Sequence, residues 1–225
     1  MKWRARWLKY FSLIENNHWH KESGLKNTII WLVIYFAVLI WSAIAPKDDF
    51  TWWLEALPGM LALPILFFTR KRFPLTPLLY GLILVHCLIL FVGAHYTYAE
   101  VPLFDTLAQW MGSERNNYDK LGHLAQGFIP AMIAREILLR NQAVKPGAWC
   151  AFLVSCFALA LSAFYELIEW WVAVATGTGA EAFLGTQGYV WDTQSDMLMA
   201  LVGAIAALFF LSSFHDRQLR HLGID

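Results

Sequence analysis

Charged residues are scarce in this chain, and cysteines are scarcer. Lys, Arg, Asp and Glu make up 15% of the 225 residues, and there are three cysteines. A soluble domain carries about 25% charged residues, so an ordinary solvated surface is excluded. Cys87, Cys150 and Cys156 form an odd set without a C-x-x-C pair. That excludes a disulfide framework and argues against a zinc or dithiol redox site. All three fall in apolar runs and read as small hydrophobes. Net charge is absent as well, with 17 basic against 17 acidic residues. No bulk field therefore recruits nucleic acid or an acidic partner. The chain has no Gly-x-Ser-x-Gly elbow, no phosphate-binding loop and no His-Glu-x-x-His pair, and with them go the common hydrolase, nucleotide and zincin signatures. Internal repeats and low-complexity segments are also missing.

What the chain does have is apolar sequence: 58% of its residues are hydrophobic, and they are gathered into runs of span length. Six runs are distinct, at about Thr28–Ala45, Trp52–Thr69, Leu75–Gly93, Leu121–Leu139, Trp149–Ala175 and Asp196–Phe214. A run of 19 residues rises roughly 28 Å as a helix, close to the thickness of a hydrocarbon core. The predicted fold is all-α, a polytopic bundle of about six transmembrane helices. It divides into an N-terminal cytoplasmic or interfacial segment (1–27), a transmembrane domain (28–214) and a cytoplasmic tail (215–225). The first apolar run begins too late and is too long for a cleaved signal, so it reads as an uncleaved span. Residues 1–14 mix aromatic and basic side chains and predict a short helix lying in the membrane interface. The second run holds Pro58 and Pro64. The fourth is the least hydrophobic, with His123, Gln126, Arg135 and Glu136, and such a helix is expected to sit against other helices.

Orientation follows from the connections. Basic residues gather in the N-terminal segment, in Arg70-Lys71-Arg72, at Arg140 and Lys145, and in the tail at Arg217 and Arg220. The intervening connections are poor in cations. Every second connection is thus basic, which predicts an even number of spans with both termini cytoplasmic. The 27-residue connection from Ala94 to Lys120 has room for a short surface helix.

That topology brings polar residues together. Asp119 and His123 open the fourth run, Glu166 and Glu169 lie late in the fifth, and Asp192 and Asp196 open the sixth. Spacings of three and four put each pair on one helix face, and all three helix ends fall on the outer side. Five carboxylates and one imidazole are therefore expected at one depth in the outer leaflet. Glu55, His86 and His95 are nearby in topology but read first as satisfied core or interface residues. Ionisable residues within spans are costly and mark function or a buried pair. Three answers to the crowding of charge are open. A divalent metal ion suits carboxylate oxygens with an imidazole, which makes Asp119, His123, Glu166, Glu169, Asp192 and Asp196 candidate ligands. Alternatively the carboxyls share protons, with His123 and Glu166 as candidate catalytic acid and base. Or Lys120, Arg115 and backbone donors neutralise the cluster as a lock on helix packing. The connection Thr176–Asp192 is rich in glycine and free of cations, and it reads either as a lid over the cluster or as a solvated turn.

Tyr118-Asp119-Lys120-Leu121-Gly122-His123, Tyr165-Glu166 with Glu169-Trp170, Phe183-Leu184-Gly185-Thr186-Gln187-Gly188 and Trp191-Asp192-Thr193-Gln194-Ser195-Asp196-Met197 resemble the YjdF-type bacterial inner-membrane proteins. The resemblance covers most of the chain and implies a multi-pass protein of the bacterial cytoplasmic membrane, with no particular reaction attached. Where that family often has an acidic residue, this chain has Tyr189. A more distant likeness is to the VanZ-like membrane proteins, through Asp119-Lys120, His123, Glu166, Asp196 and Gly203. Ala200 stands where that pattern has Asn, and Thr193 and Gln194 stand where it has Arg. The expected partners are the lipid bilayer and a lipid-linked or amphiphilic envelope ligand, and nucleic acid is not among them. A proton- or metal-coupled transporter and a structural or regulatory membrane protein are the competing readings.

Overall fold

The structure, a computed structural model, describes residues 18–177 and 181–222. The helix expected over residues 1–14 lies outside the described residues. Among the described residues the chain is all-helical, without strands. In chain order the helices are α1 (His18–Ser42), α2 (Asp49–Thr69), α3 (Pro77–Tyr96), α4 (Pro102–Trp110), α5 (Tyr118–Arg140), α6 (Ala148–Thr176), α7 (Glu181–Leu184) and α8 (Asp192–His221).

Five of these, α1, α2, α3, α6 and α8, are long and apolar enough to cross a membrane. Their exterior is the exterior of a membrane protein. Phe67, Phe68, Phe209 and Phe210 are exposed, Phe209 by 80%, a display of aromatic surface that water does not tolerate over such an area. The sixth long helix, α5, has the length of a span, 23 residues, but holds Asp119, Lys120, His123, Arg135, Glu136 and Arg140. Its polar residues are accommodated because the helix is central. It packs against α8, α6 and α3, and 13 of its residues are buried. The expectation that this least hydrophobic run would sit among other helices describes its position.

Small residues allow the central helices to approach closely. Ala125, Gly127, Ala131 and Ala134 of α5 face a bundle interior to which α8 brings Ala200, Gly203, Ala204 and Ala207. In lipid, where apolar burial gives helices little reason to associate, such close backbone packing supplies much of the attraction. The contact is tight: a Cβ built on Gly127 would fall 1.8 Å from the Ala200 carbonyl oxygen, and one on Gly203 would fall 2.1 Å from that of Leu124.

The outer helices are held by apolar packing and a few hydrogen bonds. Tyr35, Trp52, Ala56, Ile83, Cys87 and Phe91 form a core joining α1, α2 and α3. The Tyr35 hydroxyl donates to the Gly59 carbonyl at 3.0 Å, and the Trp31 indole donates to that of Tyr80 at 2.8 Å. Pro58 and Pro64 lie inside a continuous α2. Asp48 caps this helix, its carboxylate accepting from the Thr51 amide at 2.7 Å. The 94–120 connection contains α4, in the place where a short helix had room.

The final helix runs past the expected end of the span at Phe214 and continues to His221. His215 is fully buried and Leu219 is 3% exposed. The described part of the 215–225 segment is therefore mostly helix packed on the bundle. Likewise residues 18–27 are the opening turns of α1.

Candidate functional site

Three helix ends meet at one end of the bundle: the start of α5, the later turns of α6 and the start of α8. The loop before α5 is fixed first. Asn116 donates through Nδ2 to the Val101 carbonyl at 3.0 Å and to Asp105 at 2.7 Å. Its backbone amide donates to Gln187 Oε1 at 2.9 Å, and its carbonyl accepts from Gln187 Nε2 at 2.8 Å. This two-way clasp joins the start of α5 to the connection before α8. Arg115 strengthens it by donating to the Thr186 carbonyl and to Asp192, both at 2.5 Å.

Inside the clasp, Asp119 and His123 stand one turn apart on α5, with Asp119 Oδ1 3.4 Å from His123 Nε2. That nitrogen is 3.7 Å from Glu166 Oε1 of α6 and 3.9 Å from Asp196 Oδ1 of α8. His123 Nδ1 lies 3.1 Å from Gln126 Oε1. Asp119, His123 and Asp196 each present a ligand atom within 4.8 Å of the others, and all three residues are buried. Two carboxylate oxygens and an imidazole nitrogen suit a divalent cation in donor type. Glu166 Oε1 is buried without a hydrogen-bond partner, an arrangement that is expensive without a compensating group.

Lys120 is the cation nearest to the group. Its ammonium donates to Asp192 at 2.5 Å and to Asp196 at 2.7 Å, and it lies 3.8 Å from Asp119. Asp192 is thus engaged by Lys120 and Arg115 and stands outside the three-residue group. The Tyr189 ring lies beside the same two cations, with its centroid 5.4 Å from the Arg115 guanidinium and 5.9 Å from the Lys120 ammonium.

Beneath the group is a cavity of about 160 Å³, lined by Asp119, His123, Gln126, Glu169 and Tyr165, and on the far side by Glu55, Pro58, His86 and Tyr98. Its volume is that of a cavity able to hold a molecule about the size of benzene. Phe183 and Gly185 also line it, so the connection between α6 and α8 folds over this end, except that residues 178–180 lie outside the described residues. Of the six residues expected to converge, Asp119, Glu166 and Asp196 surround the His123 Nε2, Glu169 lines the cavity, and Asp192 is diverted to the ion pairs.

Glu55 and His86, which read in sequence as satisfied core residues, stand in the cavity wall. Glu55 is 3% exposed, and both Glu55 Oε2 and His86 Nε2 are buried without a hydrogen-bond partner. Neither has an ionisable neighbour three or four residues away along its helix, so no spacing signal marked it. His95 is an interface residue, with Nδ1 3.1 Å from the Ser42 carbonyl and its ring against Trp41.

A second polar network occupies the opposite end. Glu136 is fully buried and accepts from Thr76 Oγ1 at 2.7 Å and from Arg140 at 2.6 Å, and it lies 3.0 Å from His215 Nε2. Arg135 adds a 2.6 Å bond to Asp216. The i,i+4 spacing of Glu136 and Arg140 was the only sequence signal for it.

Residues 27–217 match the family model described as "Predicted membrane protein (DUF2238)". The chain is 54% identical over 187 residues to the inner membrane protein YjdF of Escherichia coli (strain K12), an alignment covering 83% of this chain and 90% of that protein. No solved structure matches it significantly. With most of its length matched by that model, the chain belongs to the DUF2238 family of predicted membrane proteins.

Proposed function

We propose that this inner-membrane protein binds a divalent cation at Asp119, His123 and Asp196, and that the loaded site serves chemistry on an amphiphilic or lipid-linked envelope molecule. One observation carries the reading: ligand atoms from two helices converge within 4.8 Å in buried surroundings. The charge balance supports it. Asp119, Glu166, Glu169, Asp192 and Asp196 face two fixed cations, Lys120 and Arg115, and carboxylates in such excess are compensated by a further cation or by bound protons. Glu166, with its unpartnered oxygen 3.7 Å from His123, is the residue placed to move a proton beside the ion. The alternation of basic connections supports cytoplasmic termini, which would put the site in the outer leaflet.

A helix-locking role is the second reading, favoured by Lys120, which bridges Asp192 and Asp196. Metal content and thermal stability of the detergent-purified protein, beside Glu166→Gln and Asp196→Asn, separate the two. The cation reading expects a copurifying divalent ion that raises the melting temperature and is lost with Asp196→Asn. A metal-free protein whose variants only melt earlier would establish the lock, and a metal-free protein with unshifted variants would point to proton sharing.

A further inference from the structure

The cavity has a second wall that the proposed cation site does not use. Glu55 of α2 and His86 of α3 line it, each with a buried side-chain acceptor that has no hydrogen-bond partner. Glu55 is 97% withdrawn from solvent. Beside a bound cation Glu55 is held ionised and only accepts hydrogen bonds, and a neutral His86 with its proton on Nδ1 accepts at Nε2. Leaving such groups buried and unpaired is costly, and a donor with positive charge is the guest that satisfies both. Among the described residues no Lys or Arg lines the cavity. Lys120 and Arg115 are directed to Asp192, Asp196 and the Thr186 carbonyl.

We propose that the Glu55–His86 wall binds a primary ammonium group, either of a free small amine or at the tip of an amphiphile's headgroup. Its three N–H donors equal in number the acceptor side chains Glu55, His86 and Glu169 of the lining. Tyr98, Tyr165 and Phe183 also line it, and aromatic walls suit a cation carried on a short carbon stem. A volume of about 160 Å³ admits an ammonium on a short carbon stem. This inference rests on the reading above that an amphiphilic or lipid-linked molecule comes to this end of the bundle, and it names the chemical class of the group that the cavity takes. The divalent ion and the ammonium occupy different walls, so each can fail without the other.

The test uses the full-length protein in detergent at constant pH and ionic strength. Ethanolamine should raise the melting temperature in a saturable way, and tetramethylammonium, which has no N–H donor, should not. Glu55→Gln should weaken ethanolamine binding about tenfold or more, the loss of one charge-assisted hydrogen bond. His86→Leu provides the second variant should Glu55→Gln fail to fold, with the same weakening expected. Asp196→Asn should lose the response to Mn²⁺ and keep the response to ethanolamine. To distinguish the sources, glycerophosphoethanolamine is compared with ethanolamine, and nanodiscs of phosphatidylethanolamine with nanodiscs of phosphatidylglycerol; stabilisation by the lipid form assigns a headgroup, and by ethanolamine alone a free amine. Equal responses to ethanolamine and tetramethylammonium, or unchanged binding in both wall variants, would overturn the inference. A Mn²⁺ response without an amine response would overturn it while leaving the cation site standing, and the reverse pattern would overturn the cation site alone.

Discussion

Replacing Gly127 by Ala should separate α5 from α8 and damage the site without touching it. The added Cβ would lie 1.8 Å from the Ala200 carbonyl oxygen and 2.4 Å from its carbon. Both are backbone atoms, so no side chain can swing aside. Ordinary contact begins near 3.4 Å, so the helices must move apart locally by about 1.6 Å in an interior packed as densely as a crystal. Overpacking of this kind costs about 1–3 kcal/mol, and the upper end applies where backbone must shift. Such a movement, if carried along the helix, lengthens the 2.7 Å Lys120–Asp196 bond beyond hydrogen-bonding range and spreads the Asp119–His123–Asp196 group. Gly81→Ala is the matched control. Its Cβ meets nothing within 4 Å, and it should gain about 0.5–1 kcal/mol from helix propensity. Thermal melts in detergent, with and without Mn²⁺, read both effects. Gly127→Ala should melt well below the parent protein with a reduced Mn²⁺ response, and Gly81→Ala at or above it. A Gly127→Ala protein as stable as the parent, with an intact Mn²⁺ response, would refute the close packing of α5 on α8.

Glu136→Gln removes the charge on which Thr76, Arg140 and His215 converge. It should lower stability by about 3 kcal/mol, the scale of breaking a buried pair, in denaturation by sodium dodecyl sulfate, and leave any ethanolamine response unchanged. Asp48→Ala should cost about 1 kcal/mol through loss of the α2 cap. The Thr51 amide holds the Asp48 carboxyl below its ordinary range. Its contribution is therefore fully present above the unfolded value near 4 and fades as pH falls through the folded one. A melting difference between parent and Asp48→Ala that does not shrink on acidification would contradict that assignment.

The spans were legible because hydropathy is local: each run is apolar over its own length. The three acidic pairs were legible for a similar reason, since i,i+3 and i,i+4 spacing marks a face and the charge alternation set which helix ends share a side. The individual partners were not. Asp192 read as a ligand because it lies one turn before Asp196, yet Arg115 comes from a connection whose path no periodicity fixes, and it claims that carboxylate. Glu55 and His86 are single polar residues in apolar runs. Their meaning depends on which helices are neighbours, and that depends on shape complementarity between faces. His215 was assigned to a tail because hydropathy falls after Phe214. It is buried because Glu136, on another helix, gives it a partner at 3.0 Å, and a polar group so satisfied can enter the core.

These placements give α5 a particular role. Asp119 and Glu136 lie 17 residues apart on it, roughly 25 Å along the axis, and each anchors a polar network near one end of the helix. Lys120 ties one end of α5 to α8, Arg135 and Glu136 tie the other, and Gly127 and Gly203 lock the backbones together between them. A pair of helices fixed at three points can neither slide nor rotate without breaking several contacts at once. The spacing of Asp119 and His123 from Asp196 is then set mainly by backbone packing and by the distant network, and less by the site's own side chains. It follows that Asp196→Asn can remove a ligand, and Glu166→Gln a proton carrier, while the frame persists. Loss of ion binding in Asp196→Asn would therefore report on chemistry, and loss of folding would show that the site side chains hold the helices together.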